Sequence, residues 1–256
     1  LVMDRQGTVM ATLDERPLQE GRSRSGSDGG SDPRGFAWRP DGAGISYLHR
    51  TEQDGDAGAN ENDGASRPDR VMLLTPPFDM EQARVVAESE DPISSVTYTL
   101  DGSGVFGEVS KDDESGLAHW DLSGAAARHM LVDFHETDDP AAQPGDLWTS
   151  RTGNGISFAL TSADSRSLYL KGDGYNTDFR PRPFVDRLSV SDGSTSPVFK
   201  GASDSFDLPL VALDGDVTSM IVSRESMTDF PDSYLWTEGG SMEILTNNVD
   251  PFPAVT

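Results

Sequence analysis

The feature that most limits how this chain can fold is the alternation in residues 35–52, GFAWRPDGAGISYLHRTE. Phe36 and Trp38 alternate with small or polar residues, Arg39-Pro40-Asp41-Gly42 supplies a bend, and Ile45, Tyr47 and His49 alternate again. Apolar spacing at period two on both sides of a Pro/Gly turn reads as a β-hairpin. A lone hairpin cannot bury its apolar face, so the fold depends on whether the unit recurs.

It does. Residues 1–16 read as a hairpin already under way at the first residue, and 21–34 as a polar linker. After the 35–52 hairpin and a second polar loop at 53–68, short strands are expected at 70–74 and 83–87. A second set of four follows at 95–99, 105–109, 117–122 and 129–134, with Asp101-Gly102 in the place of Asp41-Gly42. A third set is read at 148–151, 156–160, 167–170, 184–190 and 196–199, and a fourth at 208–212, 219–222, 234–237 and 242–245, around Asp214-Gly215. No segment has a helical period.

Sheets of about four strands recurring every 40 to 60 residues or so are the mark of propeller blades. A β-sandwich also gives short strands, but fewer of them, and without a Pro-Asp-Gly type turn returning at one place in each unit. The expected fold class is therefore all-β: a partial β-propeller of about four four-stranded antiparallel blades plus a truncated first blade. The blades are expected at roughly 1–20 (partial), 35–90, 91–140, 146–204 and 205–250 of a propeller segment covering 1–256. Trp38, Tyr98, Trp120, Trp148 and Trp236 fall at strand positions and are expected to pack between blades.

Charge narrows the function classes. There are 44 acidic and 20 basic residues, a net charge of −24, and the acids run along the whole chain. Such a field repels phosphate backbones and anionic lipid, so no nucleic acid and no membrane is expected among the partners. Only Lys111, Lys171 and Lys200 are lysines, and Asp outnumbers Glu. That pattern suits a surface kept soluble in strong salt, where screening removes the self-repulsion. The absence of Cys excludes disulfides, thiolate metal sites and a Cys nucleophile.

Candidate chemistry is sparse. The string closest to a nucleophile elbow, Gly155-Ile156-Ser157-Phe158-Ala159, ends in Ala and lies in an expected strand with no helix after it. His49, His119, His129 and His135 fall in or at the ends of strands, where a structural role is expected, so no catalytic residue is assigned. Asp54, Asp56, Asn60, Asn62 and Asp63, and separately Asp173 with Asn176, lack the spacing of a calcium loop; no metal and no cofactor is expected. The one local cationic cluster is Arg180, Arg182 and Arg187 in DFRPRPFVDR. Of these, Arg180 and Arg182 are the candidate substrate-binding residues, since guanidinium groups can receive a peptide carboxylate. Pairing with Asp178 and Asp186 is the purely structural alternative.

The later units carry a resemblance. SLYLKGDGYNTDFRPRPFVDRLSVSDGSTSPVFKGASD, residues 167–204, resembles a blade of prolyl oligopeptidase-family serine peptidases of the glutamyl endopeptidase type. Its strand, G-x-G turn and Pro-Phe-hydrophobic-Asp strand match that pattern, whereas YNTDFR at 175–180 stands where the family has a smaller, more Gly-rich run. IVSRESMTDFPDSYLW (221–236) is similar to the family's Ser-(Lys/Arg)-Glu-Ser segment, and ILTNNVDPFP (244–253) to its Pro-aromatic-Pro exit.

The resemblance implies a propeller followed by an α/β-hydrolase domain that holds the Ser, Asp and His. The catalytic domain is then expected beyond Thr256, and it, with peptide substrates, is the expected partner. This chain would be the non-catalytic part that gates peptide access, in a periplasmic or secreted parent. The alternative is a free-standing interaction scaffold whose acidic surface binds a basic partner.

Overall fold

The computed structural model describes residues 2–3, 8–11, 34–50, 69–122, 127–136, 138–141, 143–175 and 180–249. The polar loop at 53–68, with Asp54, Asp56, Asn60, Asn62 and Asp63, lies outside them, as do Asn176, Asp178 and most of the 21–34 linker. The described residues form twenty short strands and one helical turn, a 3-10 turn at Met80–Gln82 capped by the Asp79 carboxylate. The fold is all-β, made of propeller-type four-stranded antiparallel blades. The chain divides into two compact units, Leu1–Met130 with Thr152–Ser157, and Leu131–Arg151 with Phe158–Thr256.

In the first unit, β1 (Val2–Met3) and β2 (Val9–Ala11) pair antiparallel. The first full sheet takes its strands in chain order: β3 (Arg34–Trp38), β4 (Ile45–Arg50), β5 (Asp69–Leu74) and β6 (Arg84–Ser89). Alternation places Ile45 and Tyr47 with Leu74 on one side, packed on Met72, Phe78 and Met80, and Leu48, Val71 and Leu73 are buried from the other. The second sheet is likewise a meander of β7 (Ile93–Tyr98), β8 (Gly104–Lys111), β9 (Glu114–Asp121) and β10 (Arg128–Glu136), and the boundary between the units falls inside β10.

These two sheets are tied by groups that strand pairing leaves over. The carboxylate of Asp69, fully buried, accepts the Ile93 amide at 2.8 Å, and the Trp120 indole donates to the Glu88 carbonyl at 3.1 Å. Arg128 donates to Ser89 Oγ and the Asp91 carboxylate. Trp120 and Tyr98 are buried as inter-blade packing requires. Trp38 differs: it is 41% exposed and meets the Phe78 ring edge-on, because β3 is an edge strand.

In the second unit, one sheet orders β11 (Asp146–Leu147), β14 (Ser167–Gly172), β15 (Phe184–Ser189) and β16 (Thr195–Lys200). The next holds β17 (Phe206–Ala212), β18 (Ser219–Glu225), β19 (Asp232–Thr237) and β20 (Ser241–Ile244). Tyr169, Val185 and Phe199 of the first interlock with Met220, Val222 and Trp236 of the second, and Trp148, Leu160 and Val217 from the adjoining segments complete one core. The stretches 148–151 and 156–160 are only in part blade strands. They form a separate hairpin, β12 (Thr149–Arg151) with β13 (Ser157–Ala159), and the strand paired with β14 is the two-residue β11.

Both prolines inside strands of this unit sit on edge strands at register shifts. Pro197 lies on β16 beside the shift at Val185/Asp186, and Pro209 on β17 beside the bulge at Leu210. A missing N–H is tolerated there because no ladder bond is lost.

Aspartates shape the turns that lead into β4, β8, β14 and β18. The Asp41, Asp101 and Asp164 carboxylates each accept the amide two residues on, and Asp214 accepts from Thr218 and Ser219. This is the Asx-turn geometry, in which the side chain replaces a backbone acceptor. The third of these has no glycine: Ser165 takes the left-handed conformation at φ +58° that Gly42 and Gly102 adopt at +73° and +70°.

Candidate functional site

The cationic segment singled out above occupies the β14–β15 connection. Lys171-Gly172-Asp173-Gly174 leaves β14 and folds back so closely that only glycine fits. A Cβ on Gly174, at φ +60°, would lie 2.2 Å from the Arg182 carbonyl oxygen, and one on Gly172 would lie 2.6 Å from the Phe184 ring. The Arg182 amide closes the turn by donating to the Asp173 carbonyl at 2.8 Å and to that of Gly174 at 3.2 Å. Thus the G-x-G and Pro-Phe-Val-Asp runs of the sequence pattern lie directly against each other, with Gly172 and Gly174 facing Phe184 and the Arg182 carbonyl.

The three arginines do not converge. Arg180 is exposed and Arg182 half-buried at the turn, while Arg187 lies five residues along, roughly 16 Å away in an extended strand. Its guanidinium stacks over Tyr169 at 5.7 Å and donates to the Asp216 carbonyl at 3.2 Å. The pairing with Asp186 fails for Arg187 on geometric grounds, since neighbouring residues of a strand point to opposite faces. Burial raises the Asp186 carboxyl above its ordinary range, against the weaker pull of Lys200. Lys171 is turned inward, over the Trp148 ring at 5.6 Å and onto the Pro209 carbonyl at 3.3 Å. Of the three, Arg180 and Arg182 lie at the end of the β14–β15 connection, just before β15 begins at Phe184.

A second constellation went unnoticed in the sequence. Asp207 on β17 is 1% exposed and receives Arg224 of β18 in a two-pronged bond, Nε to Oδ1 at 2.6 Å and Nη2 to Oδ2 at 2.9 Å. It also accepts the Ala202 amide and the Ser205 hydroxyl, so one carboxylate fixes the connection between β16 and β17. Burial opposes its ionisation, but the four donors outweigh that and hold the carboxyl below its usual range. Arg224 further covers the Tyr234 ring at 5.5 Å. Its place in the Ser-Arg-Glu-Ser run was the available signal. The role found there is structural.

The other candidates also take structural places. All four histidines lie in strands, and His119 stacks on Phe106 at 4.9 Å, where burial lowers its pKa. Ser157 is exposed on β13. Burial raises the phenols of Tyr47, Tyr98 and Tyr169. Among the described residues no group of three or more His, Asp or Glu side chains is arranged to hold a metal ion, and no helix is long and apolar enough to cross a membrane.

No family model matches the chain, and no curated protein matches its sequence. Solved structures do resemble it. Prolyl oligopeptidase B from Galerina marginata, bound to a 35mer hydrolysis and macrocyclization substrate, is 13% identical with a TM-score of 0.49, over 83% of this chain and 27% of that one. The β-propeller domain of the Trilobed protease from Pyrococcus furiosus is 14% identical with a TM-score of 0.47, over 86% of this chain and 57% of that one. TolB from Acinetobacter baumannii is 14% identical with a TM-score of 0.43, over 84% and 44%. The likeness is one of fold. The chain spans less than two thirds of each of these structures.

Proposed function

We propose that this chain is the non-catalytic propeller portion of a serine peptidase of the prolyl oligopeptidase family, of the glutamyl endopeptidase type. The reading rests above all on one observation. The residues that carry the sequence resemblance, the G-x-G turn, the Pro-Phe-Val-Asp strand and Ser-Arg-Glu-Ser, are those that shape consecutive four-stranded blades in the second unit. Blades built this way form a steric filter that passes extended chains and rejects folded ones. The Ser, Asp and His of hydrolysis then belong to an α/β-hydrolase domain elsewhere in the parent protein. In this reading Arg180 and Arg182 present guanidinium groups to the carboxylates of an incoming peptide. The surface charge of −24 suits a parent that works in high salt, in a periplasmic or secreted setting.

The test is enzymatic. The purified chain should leave a Glu-containing peptide intact and take up no active-site serine label. Hydrolysis that co-purifies with the chain, together with a labelled serine inside residues 1–256, would show that the catalytic machinery lies here instead.

A further inference from the structure

We propose that Asn154, at the tip of the β12–β13 hairpin, is a site of spontaneous deamidation that turns the tip into aspartate or isoaspartate. The proposal is independent of the peptidase reading. Asn154-Gly155 is the one Asn-Gly pair in the chain. Both residues are exposed, and the space a Cβ would occupy on Gly153 and Gly155 is open. A following glycine matters because it places no side chain in the way of its own amide nitrogen.

The hairpin is closed without help from the asparagine. Thr152 N donates to the Ile156 carbonyl at 2.9 Å, and Gly155 N to the Thr152 carbonyl at 2.8 Å. The capping acceptor is Thr152 Oγ1, which takes the Ile156 amide at 3.1 Å. In the blade turns at Asp41, Asp101 and Asp164 that task falls to the aspartate carboxylate. The Asn154 carboxamide is therefore left with no hydrogen bond among the described residues, able to rotate toward the Gly155 nitrogen.

The chemistry needs only water. The Gly155 nitrogen loses its proton and attacks Asn154 Cγ, the bond from Cγ to the amide nitrogen breaks, and ammonia leaves a five-membered succinimide. Water then opens the ring at either carbonyl, giving aspartate or isoaspartate. The step that controls the rate is release of the Gly155 amide from Thr152, a local opening at a hairpin tip where such openings are least costly. Heat-labile asparagines are depleted from thermophile proteins, in keeping with this vulnerability.

The other described asparagines are held. Asn248 donates through Nδ2 to the Pro231 carbonyl at 2.7 Å, and its own amide is bound by the Asp232 carboxylate at 2.8 Å. That amide is the nitrogen with which Asn247 would have to react. In the Asp-Gly turns, ionised carboxylates engaged by backbone amides are poor targets for attack.

Peptide mapping of the purified chain, aged at mildly alkaline pH and sequenced by electron-transfer fragmentation, decides the matter. Conversion at Asn154 with isoaspartate as the larger product, and its complete loss in Asn154→Gln, is the expected result. The proposal is overturned if Asn154 keeps its amide while the same chain, unfolded in denaturant, converts there. Conversion at Asn247 or Asn248 as fast as at Asn154 would overturn it too.

Discussion

Removing the Arg224 guanidinium should cost far more than the loss of a surface ion pair. In Arg224→Ala, Asp207, 1% exposed in the intact chain, loses both prongs of its partner and keeps only the Ala202 amide and the Ser205 hydroxyl. Breaking a buried pair from one side costs about 3–5 kcal/mol, because the remaining charge is desolvated and uncompensated. The Arg224 side chain is 34% exposed, so water reaches the vacated space and the figure falls to about 2–4 kcal/mol. An exposed pair would cost about 1 kcal/mol or less and would fade with added salt. Urea unfolding followed by circular dichroism, at low and high salt and with an unchanged dependence on denaturant, separates the two. A double-mutant cycle with Asp207→Asn should return a coupling of about 1 kcal/mol or more. A loss below about 1 kcal/mol that vanishes in salt would refute the burial argument, and with it the role of Asp207 as anchor of the β16–β17 connection.

Gly174→Ala should destabilise by about 2 kcal/mol or more, through the left-handed backbone and the clash with the Arg182 carbonyl, whereas the same change at Gly239, with open space around it, should cost about 1 kcal/mol; thermal unfolding of both variants compares them. His119 has its folded-state pKa lowered by burial, so the unfolded chain binds the proton more tightly. Its contribution is complete above the ordinary histidine pKa of about 6.5 and is lost as pH falls from there through the lower folded value, and His119→Phe should flatten that part of the stability profile. For Asp186, whose carboxyl is raised by burial, the sign is opposite: the charged form disfavours the fold near neutral pH, and Asp186→Asn should leave stability there unchanged or slightly higher. With a net charge of −24, the unfolding midpoint should climb as sodium chloride is added; a flat or falling midpoint would count against a salt-suited surface.

The strands were legible because period-two alternation and turn residues are local. The Asp41 and Asp101 turns could be matched by their glycines, and the Asp164 turn escaped because Ser165 adopts the left-handed conformation in place of glycine. The place of 148–151 and 156–160 was not legible. A hairpin and a blade strand look alike in alternation, and only pairing across the chain, Leu147 with Leu170 and Asp146 with Lys171, shows that β11 is the strand beside β14. Trp38, expected to pack between blades, is exposed, because an aromatic at a strand position carries no mark of whether a neighbour covers it. Asp69 and Asp207 were invisible among 44 acidic residues, since a buried anchor and a solvated carboxylate are the same letter. Of the three arginines close in sequence, only Arg187 falls on β15, where it turns to Tyr169 and the Asp216 carbonyl, a separation that sequence spacing does not display.

The most direct test of the central claim is to recover the native polypeptide that contains this chain, using antibody to it, and to treat it with a fluorophosphonate serine label. The account predicts a polypeptide larger than 27.6 kDa, with the label on a serine outside residues 1–256. A polypeptide of this size alone that takes no label, or a label on a serine within these residues, would contradict it.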